Sequence, residues 1–186
     1  MKSNKKTGRI LDIAECFATA VFVITLAFTF VFKVVEVVGH SMENTLFEGD
    51  RLVVHKLFYT PEKGDIVLIN SDVLGESIIK RIVAVSNERV TVDLKNNQVS
   101  VDGNIIEENY VKEEILKNNG NFSDEFYNKE KGVYEYIVPF GYVFVMGDNR
   151  NNSTDSRKIG LISKDEIVGK VVYRITSKQA ETGKIN

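Results

Sequence analysis

A single cysteine, Cys16, in 186 residues excludes an internal disulfide framework and leaves no thiol cluster for a structural zinc. Two histidines, His40 and His55, are too few for an obvious metal site, and no cofactor is expected. Charge is nearly balanced, with a slight acidic excess: the formal net charge is −2, which gives no reason to expect a nucleic-acid partner. No internal repeat is evident, and prolines are scarce, with just Pro61 and Pro139. What remains is 43% hydrophobic and 27% charged, long enough for one sizeable domain or for a modest domain plus an appendage.

Basic residues are unevenly placed, for Lys2, Lys5, Lys6 and Arg9 crowd the N-terminus. Behind them Cys16 to Phe32 carry no charge, and as a helix this run measures about 26 Å, at the short end of a bilayer span. Extension through Val34 to Val38, with Lys33 snorkelling, would complete it. A buried core helix is disfavoured, because the stretch is apolar on every face and no other segment is obviously able to enclose it. A cleavable export signal is harder to set aside, although no small-x-small pair precedes a mature-looking terminus after Phe32. The reading adopted is a single-pass cell-membrane protein in contact with lipid: residues 1–15 cytoplasmic, 16–38 the anchor and juxtamembrane segment, and 39–186 outside the membrane. The basic cluster sets that orientation through the positive-inside rule.

The remainder reads as mainly β, an antiparallel sheet domain behind one transmembrane helix. Arg51–Leu57, Asp65–Asn70, Ile78–Ser86, Val90–Leu94, Gln98–Val101, Val133–Val138, Tyr142–Met146 and Ile167–Ile175 are short runs rich in Val, Ile, Tyr and Phe, punctuated by Gly, Asn and Asp. Asp102-Gly103 is a hairpin signal between Val99–Val101 and Asn104–Ile106. Tyr110 to Lys117 has the composition of a short helix, Asn118 to Asn121 of a loop, and Ser177 to Asn186 of a solvated tail. Residues 87–136 are marked as a smaller cap.

Two local sequences suit hydrolase chemistry. Ser41 follows Gly39-His40, and Lys80 has apolar residues on both sides, Ile78-Ile79 and then Ile82-Val83 after Arg81. A serine hydroxyl needs a base, and a lysine serves as one only where desolvation holds it uncharged. As a strand, this run puts Lys80 with Ile78, Ile82 and Ala84, but the other face carries Arg81 among Ile79, Val83 and Val85. Periodicity therefore does not say which face is buried, and a lysine snorkelling to water is the competing reading. A histidine base is disfavoured: His40 is adjacent to Ser41 and points away in an extended chain, and His55 has no evident acid partner.

Beyond this, the residues resemble a family. Gly39-His40-Ser41-Met42-Glu43-Asn44-Thr45-Leu46 resembles the nucleophile box of bacterial type I signal peptidases, Gly49-Asp50-Arg51-Leu52-Val53-Val54 the next box, and Ile79-Lys80-Arg81-Ile82-Val83 the lysine box. Gly147-Asp148-Asn149-Arg150-Asn151-Asn152-Ser153-Thr154-Asp155-Ser156-Arg157, with Gly160, matches the family's GDNRxxSxDSRxxG signature at every defined position. The resemblance implies a membrane-bound endopeptidase that removes signal peptides from exported preproteins. It implies Ser41 as nucleophile, Lys80 as general base, Ser153 as the residue orienting the lysine amine, and Asp155 with Arg157 as a supporting ion pair. In an extended stretch, alternation would put Ser153, Asp155 and Arg157 on one face. Gly39 sits where some members carry an oxyanion-hole serine, which leaves the oxyanion to backbone N–H groups, including that of Ser41.

The substrate segment is expected to lie as an added strand between the chain around Val37 and Gly39 and the strand around Ile78 and Ile79, with small residues at positions −1 and −3. One departure stands out: the nucleophile box usually reads Ser-Met-x-Pro-Thr, and Asn44 replaces the proline. An alternative reading is therefore a noncatalytic or substrate-dedicated factor on the same scaffold, with pilus or secretion machinery as a candidate partner. A self-cleaving repressor, which shares the Ser/Lys chemistry, is disfavoured by the anchor and by the lack of a DNA-binding motif ahead of the catalytic part.

Overall fold

In the computed structural model, residues 3–111, 113–115 and 122–185 are described. The chain runs through α1 (Ser3–Val31), β1 (Phe32–Glu36), β2 (Arg51–His55), β3 (Ile66–Ser71) and β4 (Glu76–Ala84). It continues through β5 (Arg89–Asp93), β6 (Gln98–Val101), β7 (Asn104–Ile105), β8 (Tyr127–Asn128) and β9 (Val133–Ile137). Last come β10 (Tyr142–Met146), α2 (Ser156–Ile159), β11 (Ile162–Ser163), β12 (Ile167–Thr176) and β13 (Gly183–Lys184).

α1 holds one apolar span, Gly8–Val31, with a mean hydropathy of 2.0 and none of its most apolar stretch buried, long and apolar enough to cross a membrane. Thr19, Thr25 and Thr29 satisfy their hydroxyls on the carbonyls four residues back, so these three hydroxyls are bonded within the helix. The helix stops at Val31, and the expected extension through Val38 does not form. Instead Val34 pairs with Val53 and Val35 with Leu52, so these β-branched residues lengthen a sheet where helix would crowd them.

Two antiparallel sheets follow. The larger has the order β1-β2-β12-β3-β4-β10-β11, with β13 alongside β12; the smaller, built within residues 89–137, has the order β7-β6-β5-β9-β8. β3 is buried on both faces, and alternation divides it: Ile66 and Leu68 join Met42, Leu46, Leu52 and Val54 in one cluster, whereas Val67 and Ile69 join Ile82, Val143 and Val145 in another. A third cluster, including Val90, Val92, Tyr136 and Phe144, joins the small sheet to the large one. The Asp102-Gly103 turn has positive φ at both residues, 52° and 79°, as a tight two-residue hairpin requires.

Two other expectations change. Tyr110, Val111 and Glu113–Ile115 are not helical, because their polar groups are engaged elsewhere: the Tyr110 carbonyl by Asn44 and the Ile115 N–H by Asn97. The rest of that stretch, with the loop at Asn118 to Asn121, lies outside the described residues. The C-terminal residues are not simply solvated, for β13 pairs with β12 and Ile185 is buried against the Val37 and Met42 cluster.

Gly169 shows how closely β12 and the end of β2 approach. A Cβ there would run into the His55 carbonyl oxygen, a backbone atom that cannot rotate away. Gly169→Ala is expected to destabilise the protein by about 1–3 kcal/mol, as overpacking does. Urea unfolding in detergent checks this, and an unchanged midpoint would refute it.

Candidate active site

The segment that carries Ser41 is a tight turn. Glu43 N–H donates to the His40 carbonyl, and both Thr45 and Leu46 donate to Met42, whose side chain is buried with Leu46 under the turn. Ser41 sits at the lip, and Lys80 Nζ hydrogen-bonds its Oγ at 2.7 Å and donates to the Ile79 carbonyl at 3.1 Å. The alternation question is resolved by burial of both faces: Lys80 is 3% and Arg81 4% exposed. Lys80 therefore does not snorkel to water. Burial pulls its pKa below the ordinary lysine value; Asp155, Glu76 and Asp148 pull it back up, and Arg157 pushes it down.

The signature loop holds this pair in place. Asn149 grips the Ser41 segment twice, its N–H donating to the Ser41 carbonyl at 3.1 Å and its side-chain amide to the His40 carbonyl at 3.1 Å. Gly147 allows the approach, since a Cβ there would collide with both the Ser153 hydroxyl and the Ser41 carbonyl. Arg81 clasps Asp148 through two guanidinium nitrogens, at 2.9 and 2.8 Å, and Asp148 also accepts from the Thr45 hydroxyl. Sequence reasoning had assigned no role to Asn149, Asp148 or Arg81. A signal was present: the first two belong to the matched signature, and Arg81 is a charge in an otherwise apolar strand.

Ser153, Asp155 and Arg157 do come together, but not by strand alternation. Asp155 caps the N-terminus of α2, and its side chain accepts from the Arg157 backbone N–H. The same carboxylate, fully buried, takes the Arg157 guanidinium at 2.7 and 2.8 Å, the Ser153 hydroxyl at 2.7 Å and the Gly147 N–H at 2.9 Å. The Ser153 hydroxyl proton thus goes to Asp155, not to Lys80. Burial by itself would raise the Asp155 pKa; the Arg157 charge and these hydrogen bonds outweigh it and hold the carboxyl below its usual range. His40 is directed elsewhere, with Nδ1 2.6 Å from Glu43, and His55 packs on Phe32.

Ser41 and Lys80 open onto a cleft of about 530 Å³ whose walls include Val37, Gly39, Ile78 and Ile79. β1 is the terminal strand of its sheet, and β4 from Glu76 to Lys80 has β3 on one side, β10 joining from Arg81 onward. The cleft therefore lies between two unpaired strand edges. Val37 has both main-chain groups engaged by Asp50 and Gly49, whereas its exposed neighbour Val38 has no main-chain hydrogen bond among the described residues and presents its backbone on that wall.

A hydroxyl against a buried amine, beside a groove bordered by strand edges, is the equipment of a serine-type peptidase. The chain belongs to the signal peptidase family, peptidase S26, whose family model matches residues 10–176. Among curated relatives, signal peptidase I P of Bacillus subtilis subsp. natto is 36% identical over 172 residues, covering 90% of each chain. Signal peptidase I T of Bacillus subtilis strain 168 is 37% identical over 174 residues, covering 90% of this chain and 86% of that one. A crystal structure of a signal peptidase I from Enterococcus faecalis V583 aligns with 60% of this chain and 97% of that chain, at 25% identity and a TM-score of 0.46.

Asp155→Asn would leave the Arg157 guanidinium buried without its carboxylate, at an expected cost of about 3–5 kcal/mol. Because the folded Asp155 pKa is depressed, its contribution is complete above the unfolded carboxyl value and is lost as pH falls through the folded one. The gap in unfolding free energy between wild type and variant should then be constant near neutrality and narrow only below roughly pH 4. Chemical denaturation across pH measures it, and a gap that narrows between pH 8 and 6 would contradict the assignment.

Proposed function

We propose that this chain is a membrane-anchored Ser/Lys endopeptidase that removes signal peptides from exported preproteins, the contact between Ser41 and the buried Lys80 being the observation that carries the reading. The neutral Lys80 amine accepts the Ser41 proton as Oγ attacks the scissile carbonyl. The new oxyanion is stabilised by backbone, including the Ser41 N–H, which has no hydrogen-bond partner among the described residues. Lys80, now an ammonium, gives its proton to the leaving amine, and in the second half it takes a proton from the water that releases the acyl group. The orienting role of Ser153 rests on the family resemblance and on its place beside Gly147 and Ser41; among the described residues its hydroxyl donates to Asp155, while Lys80 bonds Ser41 and Ile79. Asp155 and Arg157 support this arrangement without touching the reacting atoms.

The substrate lies extended across the cleft, adding a strand between the Val38 edge and the edge of β4 at Ile78 and Ile79, with shallow contacts selecting small residues at −1 and −3. The noncatalytic alternative is not favoured, since such a factor would not need an amine buried against a hydroxyl.

Purified protein in detergent should cleave a preprotein with Ala at −1 and −3, and lose the activity when either is made bulky. Ser41→Ala should be inactive. Cleavage should increase with pH as Lys80 loses its proton, starting below the range expected for an exposed lysine. Lys80→Arg, folded by circular dichroism, should be inactive because guanidinium keeps its proton at such pH. Near wild-type turnover by Lys80→Arg would rule out lysine as the base.

The basic N-terminus and the span Gly8–Val31 support an orientation with everything after α1 on the outer side, where the cleavage site of a translocating preprotein emerges. A cysteine at exposed Lys95, in a Cys16→Ala background, should react with a membrane-impermeant thiol reagent on intact cells. Labelling confined to lysed cells would reverse the orientation.

A further inference from the structure

We propose that Asn44 is a positioning residue for Ser41, strapping the nucleophile turn to the turn at Glu108–Val111 beyond the small sheet; the inference rests on Ser41 being the nucleophile. Asn44 has φ of 93°, a region that proline, locked near −65°, cannot enter and that asparagine tolerates better than most side chains. The turn after Ser41 therefore follows a backbone path different from any that the usual proline would permit. In that conformation the Asn44 side-chain amide donates to the Tyr110 carbonyl at 3.0 Å, a contact between segments 66 residues apart.

Tyr110 is a firm anchor for such a strap. Its ring lies 4.0 Å from the Arg81 guanidinium carbon, and its hydroxyl donates to Glu108, which in turn is ion-paired with the buried Arg150. Arg81 follows Lys80 in β4 and clasps Asp148, and Asp148 accepts from Thr45, the residue after Asn44. A closed circuit thus runs from Asn44 through Tyr110, Arg81, Asp148 and Thr45 back to Asn44. It ties the turn carrying Ser41 to the strand carrying Lys80. Neither cleft wall takes part, so the strap bears on the alignment of Oγ with Nζ and leaves substrate binding alone. The bond is exposed, so its removal has little effect on global stability, whereas the reaction is sensitive to small displacements of the nucleophile.

The test compares Asn44→Gly, which keeps the positive φ and removes the amide, with Asn44→Asp, which keeps the shape but offers a carboxylate that cannot donate to Tyr110. Both should lower kcat about fivefold to tenfold with KM and the thermal midpoint unchanged. Asn44→Pro should lose more, because the turn must change its path. Wild-type kcat in both Gly and Asp variants would overturn the proposal. So would a loss expressed in KM, or one that tracks an equal loss of thermal stability. Ser41→Ala assayed in parallel separates the two readings. If it still cleaves, the Ser/Lys mechanism itself fails; if it is inactive while the Asn44 variants are normal, only the strap does.

Discussion

One buried carboxylate organises the catalytic end of the molecule. Asp155 accepts five hydrogen bonds, from Gly147, from Ser153, and from the backbone and guanidinium of Arg157. An unpaired carboxylate at that depth would not stay ionised; Arg157 beside it makes the charge tenable. Once ionised, Asp155 serves as N-cap of α2 and fastens the loop from Gly147 to Ser153. That loop in turn holds Ser41 by its carbonyl through Asn149.

The same charge constrains Lys80. The role proposed for Lys80 as base needs its ammonium disfavoured, and burial does that, but carboxylates within electrostatic reach work the other way. Arg157 both neutralises Asp155 and adds a like charge that disfavours the ammonium. The ion pair thus acts on Lys80 in both senses, Asp155 favouring the ammonium and Arg157 disfavouring it. Glu76, farther along β4 at the cleft, keeps acting in the opposite sense.

The cleft arises from a gap in strand pairing. β4 is longer than the part of it that β10 covers, and among the described residues β1 pairs only with β2, so two edges face one groove. Open edges ordinarily invite aggregation; here the β1 edge begins directly after α1, and the groove between the two edges is lined by Ser41 and Lys80. The span and the catalytic turn are separated only by β1 and a few residues, which keeps Ser41 close to the end of α1.

Much of this was legible in the chain. Eight of the strand runs appear within a few residues of where Val, Ile, Tyr and Phe cluster, because those residues suit a pleated, half-buried surface and the Gly, Asn and Asp between them suit turns. The apolar span was readable from local composition, and the pairing of Ser41 with Lys80 from the resemblance of the boxes and their order. Composition could not say where α1 stops, because Val34 and Val35 are as apolar as the helix before them and their strand is created by β2, a segment distant enough to be invisible locally. Nor could it say that both faces at Lys80 and Arg81 are buried, or that Ser153 donates to Asp155. Such facts depend on long-range contacts, in which a polar group finds its partner only after the chain has closed. Sequence by itself determined which chemical groups are available and in which local elements; tertiary structure decided which of them are dry, which are paired, and hence which lysine can be a base.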